Sequence, residues 1–140
     1  MKNTLHLVII ILASVISGCK DNDYSSFVFS NLSEISPEYK NCDSIFIIPR
    51  KGCNSCTNLA DKIFITRKND FDNLYIFTNL VSKKDLRIRL GNETLKQKNI
   101  IVDSDNRFWN QNFVECQYPT LFIKKPDGSF HFEYLLDSVE

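Results

Sequence analysis

The sequence predicts an α/β fold with a central mixed β-sheet, helices on both faces of the sheet and a C-terminal β-hairpin. Residues 45–48 form a short continuous apolar run, as a doubly covered strand does, and residues 74–80 have the β-rich, uncharged composition of a second buried strand. Between them, apolar residues recur at helical spacing. Residues 120–135 form two apolar segments around a Pro-Asp-Gly turn, which indicates a hairpin. We therefore expect one folded domain over residues 44–140.

The first 18 residues resemble a targeting segment. Lys2 precedes an apolar run at residues 5–16, which is too short for a confident membrane span. The run ends in Ile-Ser-Gly-Cys at residues 16–19, which resembles the bacterial lipobox. In that signal the cysteine is lipidated and becomes the first residue of the mature chain. We expect a lipoprotein signal peptide over residues 1–18 and lipidation at Cys19; an uncleaved anchor helix or an ordinary signal peptide is the alternative.

Residues 19–43 are rich in Asp, Asn and Ser. We interpret them as the lipidated cysteine followed by a polar tether, with one edge strand at residues 27–29. The residue after Cys19 is Lys20, whereas Asp at that position retains many lipoproteins at the inner membrane. Residues 20–23 also resemble surface-export signals. This favours a cell-envelope location, facing the periplasm or the surface, at the outer membrane.

The middle of the chain alternates between predicted strands and helices. The first strand stops at Pro49, and a helix should run from Cys53 to about residue 67 or 68. Ser82, with an acid three residues later, predicts the start of a second helix that Gly91 ends. Residues 99–102 predict a third strand. Aromatic residues then predict a short helix whose rings belong to the core, at Phe108, Trp109 and Phe113.

Composition argues against one class of partner and favours one kind of chemistry. The chain has 17 basic and 17 acidic residues and no basic stripe, so it lacks the charge that nucleic-acid binding requires. If Cys19 carries lipid, four cysteines remain in an exported, potentially oxidising compartment: Cys42, Cys53, Cys56 and Cys116. The chain is long enough to fold without a disulfide framework, which favours redox chemistry.

The pair in Cys53-Asn54-Ser55-Cys56 carries the predicted chemistry because it lies between a buried strand and a helix. Cysteines three residues apart at a helix start can close a small ring, with the first sulfur outside and the second shielded. The helix dipole stabilises a thiolate on Cys53, and Arg50 and Lys51 add positive charge that would lower its pKa. Cys53 is then the nucleophile and Cys56 the resolving thiol.

Zinc binding is the competing use of this pair. It would need two further ligands, and Cys42, Cys116 and His131 show no second CxxC or paired-His spacing. We expect no metal. Cys116 could act as a third thiol, but a buried small side chain is the favoured interpretation. Cys42 begins the first strand, away from the pair, and receives no role.

Residues 44–134 resemble the thioredoxin-like superfamily, and in particular its membrane-tethered thiol-disulfide oxidoreductases related to the peroxidase-like antioxidant group. The resemblance rests on three motifs: the strand, CNSC sequence and helix; the Ile-Val-Asp strand end at residues 101–103; and Tyr118-Pro119-Thr120 before the hairpin turn. It implies a cis Pro119 facing the cysteine pair, and a substrate peptide bound along Tyr118 and Pro119. It also implies exported thiol or disulfide proteins as partners, and no cofactor beyond the Cys53–Cys56 disulfide. A monomer is the default expectation.

The sequence departs from the family pattern in three ways. Gly52 stands where Trp precedes the first cysteine, Ile47 replaces a buried acid, and the intervening pair Asn54-Ser55 lacks the proline common in thioredoxins. The proton acceptor for Cys56 is therefore unassigned, and Glu115 is a candidate. These departures favour a second function, a binding or accessory lipoprotein whose disulfide is structural. A thiol peroxidase is disfavoured because Arg50 stands where that chemistry requires Thr.

Overall fold

The computed structural model of the chain describes residues 23–135. The predicted signal peptide, Cys19 and residues 20–22 lie outside the described residues. The helices are α1 (Asp23–Ile35), α2 (Asn54–Arg67) and α3 (Lys83–Leu90). The strands are β1 (Ser44–Pro49), β2 (Asn73–Thr78), β3 (Ile100–Val102), β4 (Thr120–Lys124) and β5 (Phe130–Tyr134). Three 3₁₀ helices cover Pro37–Asn41, Thr94–Lys96 and Val114–Gln117.

The five strands form one mixed sheet in the order β3-β2-β1-β4-β5. β1 lies at the centre, parallel to β2 and antiparallel to β4. β3 is parallel to β2, and β5 completes the C-terminal hairpin with β4. The predicted mixed sheet and hairpin are confirmed.

The sheet is covered on both sides because the central strand is apolar on both sides. Ile45 and Ile47 pack on one side with α1 and the segment 103–118, and we call this side the aromatic face. Phe46 and Ile48 pack on the other side with α2 and α3, and we call this side the helical face. Such double coverage explains why β1 is a continuous apolar run instead of an alternating one.

The helical face follows the sequence closely. α2 ends at Arg67, as its apolar spacing predicts. Ser82 caps α3 by accepting the Asp85 N–H at 2.9 Å, and Gly91 follows the helix with a positive φ of 89°. These predictions rested on residues that are close together in sequence, and the structure confirms them.

The segment before β1 differs from the predicted tether and edge strand. Residues 27–29 belong to α1, so the predicted edge strand is wrong, and residues 23–41 are part of the folded domain and not a tether. Tyr24, Val28 and Leu32 recur every four residues and are fully buried. The polar residues that suggested a tether occupy the outer side of this helix.

The aromatic segment after β3 also differs from the prediction. No helix covers residues 108–113; turns lead instead to the 3₁₀ helix at Val114–Gln117. The Asp103 carboxylate fixes these turns by accepting the N–H groups of Arg107 and Phe108, both at 2.9 Å, and the Thr78 hydroxyl at 2.7 Å. Phe108 is fully buried, so its assignment to the core is confirmed.

Candidate redox site

The two cysteines of the CxxC sequence lie at the start of α2, just beyond the central strand. Cys53 is the N-cap residue of α2, and Cys56 lies in the first turn. A disulfide joins them, and their Cα atoms are 5.2 Å apart. Because β1 is the central strand and ends at Pro49, the sheet and the short loop after it position this helix start.

The two sulfurs have different environments. Cys53 is half-buried, whereas Cys56 is 3% exposed. The Cys53 sulfur accepts the Cys56 N–H at 3.3 Å and lies 3.3 Å from the Ser55 hydroxyl. After reduction, both donors and the helix N-terminus would favour negative charge on Cys53. Cys53 thus has the more exposed sulfur and Cys56 the shielded one, as expected from the sequence. The roles of nucleophile for Cys53 and resolving thiol for Cys56 stay predictions.

Thr57, which was not predicted as a site residue, joins the start of α2 to the central strand. Its buried hydroxyl lies 3.3 Å from the Pro49 carbonyl and 3.0 Å from the Cys53 carbonyl, either of which can accept its hydrogen bond. The Thr57 N–H also donates to the Cys53 carbonyl at 3.0 Å. A Thr four residues after an N-cap is too common in helices to be recognised as an anchor from sequence.

Gly52 explains one departure from the family pattern. Its φ is +130°, a conformation that side chains rarely adopt, and an added Cβ would lie 2.7 Å from the Gln117 carbonyl oxygen. A Trp therefore does not fit at this position. The close approach also brings the segment before β4 next to the loop that carries Cys53.

Pro119 lies beside the end of β1, but its peptide bond is not cis. Every peptide bond within residues 23–135 is trans, so the expected cis bond is wrong. The chain is already extended at Tyr118, with φ −122° and ψ 150°, and the Pro119 carbonyl accepts the Leu135 N–H at 3.0 Å. The hydrogen-bonding pattern between β4 and β5 thus continues through Pro119.

Tyr118 was expected to pair with a substrate peptide. Its N–H donates instead to the Glu115 carbonyl at 3.1 Å and closes the 3₁₀ helix. Its ring packs edge-on against Tyr134, with 6.0 Å between ring centroids. Tyr118 therefore lies near the cysteine pair. Its N–H already donates within the chain, so it cannot also pair with a substrate strand in this conformation.

Arg50 and Lys51, the expected sources of positive charge, differ from each other. Arg50 makes a two-pronged ion pair with Asp61 of α2, and its side chain is 5% exposed. Its guanidinium also lies 6.0 Å from the centre of the Phe77 ring. The charge of Arg50 is therefore compensated, whereas Lys51 is exposed. Asp61 was not predicted as a site residue, because nothing in the sequence of a helix identifies a carboxylate's partner eleven residues earlier.

Ile47, at the position where the thioredoxin-like pattern has a buried acid, is part of the core. Ile47 is 1% exposed and lies opposite Thr120. Within residues 23–135, the side chain of the candidate acceptor Glu115 makes no hydrogen bond to Cys56. Glu115 lies instead near Cys116, where its charge adds to the effect of burial in raising the pKa of that thiol.

The remaining thiols lie apart from the pair. Cys116 is buried, and its sulfur accepts the Asn110 N–H at 3.4 Å and contacts the Phe108 carbonyl at 3.7 Å. This is the environment of a small core side chain. Cys42 precedes β1 at the opposite end of that strand, and burial raises the pKa of its thiol.

Residues 23–135 contain no cluster of three or more His, Cys, Asp or Glu side chains arranged to hold a metal ion. His131 lies on β5 beside Glu133, their side chains 3.3 Å apart. In the same part of the chain, no helix has the length and apolar character needed to cross a bilayer.

No protein-family model, curated protein or solved structure matches the chain.

Proposed function

We propose that this chain has a thioredoxin-like fold and exchanges disulfides through Cys53 and Cys56. One observation carries the proposal: a Cys53–Cys56 disulfide at the N-terminus of α2, directly after the central strand of a mixed sheet. The partly exposed sulfur is available to a second protein, while the buried one is available only from within the ring.

In the reductase direction, the Cys53 thiolate attacks one sulfur of a substrate disulfide. That S–S bond breaks, a mixed disulfide forms, and the other substrate sulfur leaves as a thiolate. The Cys56 thiolate then attacks Cys53, releases the second substrate thiol and restores the Cys53–Cys56 disulfide. Two electrons pass to the substrate, and a dithiol protein must return them.

The substrates in this proposal are exported proteins with thiols or disulfides. The lipobox ending at Cys19 supports a lipid-anchored protein of the bacterial cell envelope, and Lys20 after it favours the outer membrane. Changing Cys19 to Ala should abolish labelling by a radioactive fatty acid and leave unprocessed precursor. Labelling that persists in this variant would refute the anchor without affecting the redox proposal.

The second candidate is an accessory lipoprotein whose disulfide is structural. Three observations favour it: Ile47 in place of an acid, the trans bond before Pro119, and the neutralisation of Arg50 by Asp61. Each removes a feature that would assist thiol chemistry.

The reduction potential of the Cys53–Cys56 pair separates the two candidates. Equilibration with glutathione buffers should give a value between about −270 and −120 mV for an exchanger, and below about −300 mV for a structural bridge. Cys56→Ser should accumulate mixed disulfides in cells, whereas the matched variant Cys116→Ser should not. A very negative potential with no trapped partner would refute the exchange function.

A further inference from the structure

Among residues 23–135, β5 is an edge strand, and no described strand lies on its outer side. Leu135 N–H bonds to the Pro119 carbonyl and Lys125 N–H to the Ser129 carbonyl, which fixes the alternation of the β4–β5 ladder. The N–H and C=O groups of Phe130 and Phe132 therefore point away from β4. Within residues 23–135 they have no hydrogen-bond partner, and such an edge can pair with another strand.

The side chains of β5 divide by chemistry. Phe130 and Phe132 face the aromatic face, where they pack against Phe29 and Tyr24 respectively, with ring centroids 5.3 and 5.7 Å apart. His131 and Glu133 alternate with them and lie on the opposite side. The strand thus has one row of rings and one row in which an imidazole and a carboxylate alternate.

From this arrangement we propose that β5 pairs antiparallel with β5 of a second copy of this chain, so that two sheets become one ten-stranded sheet. The two-fold axis would pass beside Phe132, which faces Phe132 of the second copy. Both Phe132 N–H groups then donate to the facing Phe132 carbonyls, because these groups are the ones that point outward.

His131 and Glu133, which lie 3.3 Å apart within one chain, are complementary to the same two residues of a second copy, and this favours a second copy over another extended chain. In the proposed register, residue 131 lies opposite residue 133 of the second copy, and the symmetry repeats this contact. His131 therefore meets Glu133 twice in each dimer. Directly opposed cross-strand pairs on one face are close neighbours, so an imidazole that faces a carboxylate can donate a hydrogen bond to it, whereas two like charges oppose the pairing.

The aromatic side offers room for the second copy. A groove of about 880 Å³ lies between α1 and β5, with Phe29, Tyr39, Phe130 and Phe132 in its walls. Ring side chains from the neighbouring β5 would extend along this groove and cover apolar surface that the single chain leaves partly exposed.

Sedimentation of the full chain in a non-ionic detergent tests the proposal. The unchanged chain should form dimers with rising concentration. His131→Glu should raise the dimer dissociation constant at least about ten-fold, because it places two acids opposite each other twice. Lys84→Glu, an equivalent change at an exposed position of α3, should leave the constant unchanged.

Mixing two variants gives the sharper test. Glu133→Lys should also weaken self-association, but a mixture of His131→Glu chains and Glu133→Lys chains should form heterodimers. In the heterodimer, one contact pairs the introduced acid with the introduced Lys, and the other retains His131 with Glu133. A chain that remains monomeric at every concentration would overturn the proposal, and so would a dimer that neither variant weakens.

Discussion

The two faces of the sheet are stabilised in different ways. The helical face is covered by two regular helices, and its polar contacts are local or join adjacent elements, such as Arg50 with Asp61. The aromatic face is covered by α1 and irregular turns, and its key polar contact joins Tyr24 to Thr120 across 96 residues. The cysteine pair lies on α2, but Gly52 beside it touches the segment before β4. The position of the cysteine pair therefore depends on both faces.

The largest expected effect lies on the aromatic face. Tyr24 contacts the rings of Phe27, Phe113, Phe122 and Phe132. Tyr24→Ala should lower the free energy of unfolding by about 4 kcal/mol, because a large buried ring leaves a cavity. Denaturant titration followed by circular dichroism measures this.

Tyr24→Phe is the matched control for that substitution. It keeps the ring and removes the 3.1 Å hydrogen bond to the Thr120 hydroxyl, so its cost should be about 1 kcal/mol. Equal losses for the two variants would show that the hydroxyl, and not ring packing, stabilises this face.

On the helical face, the Arg50–Asp61 pair should give the next largest effect. Arg50→Ala leaves the Asp61 carboxylate largely buried without its partner and should cost about 3 kcal/mol. Arg89→Ala, which breaks an exposed ion pair with Asp85, should cost less than about 0.5 kcal/mol. The same denaturant titration compares them, and similar losses would contradict the burial argument.

The contact between the two faces should be sensitive at Gly52. Gly52→Ala forces a side chain into a positive φ and against the Gln117 carbonyl, which should cost about 2 kcal/mol. Because the strain adjoins Cys53, this variant should also change the rate at which the reduced Cys53 is alkylated. Gly128→Ala is the control: its φ is also positive, but nothing lies near the added Cβ. It should lower stability without changing that rate.

The same division explains which parts of the structure could be predicted. β1, α2 and α3 follow from apolar spacing and caps within a few residues of each other. α1 could not be recognised, because its polar outer side dominates the composition and its buried side is explained by partners such as Thr120, far along the chain. At the site, the cysteine pair could be predicted from the sequence. The ion pair of Asp61 with Arg50 and the trans bond at Pro119 depend on tertiary contacts.

Alkaline pH should weaken the fold through buried tyrosines on both faces. Burial raises the pKa of Tyr75 to about 12, while an unfolded Tyr titrates near about 10. Between these values the unfolded chain releases a proton that the folded chain retains, so this contribution to stability is complete below pH about 10 and is lost as pH rises towards about 12. Tyr75→Phe should make the decline in unfolding free energy shallower; an unchanged slope would exclude Tyr75 as its source.

The smallest expected effect concerns α3, whose start depends on a local contact. The Ser82 hydroxyl accepts the Asp85 N–H at 2.9 Å at an exposed position, so Ser82→Ala should cost about 1 kcal/mol. Ser82→Gly should cost only a few tenths of that amount, because water can reach the freed N–H. Neither variant should alter the alkylation rate of Cys53, since α3 does not carry the cysteine pair. A changed rate would mean that the cap of α3 is coupled to the cysteine pair. The helical face would then behave as one cooperative unit and not as separate local elements.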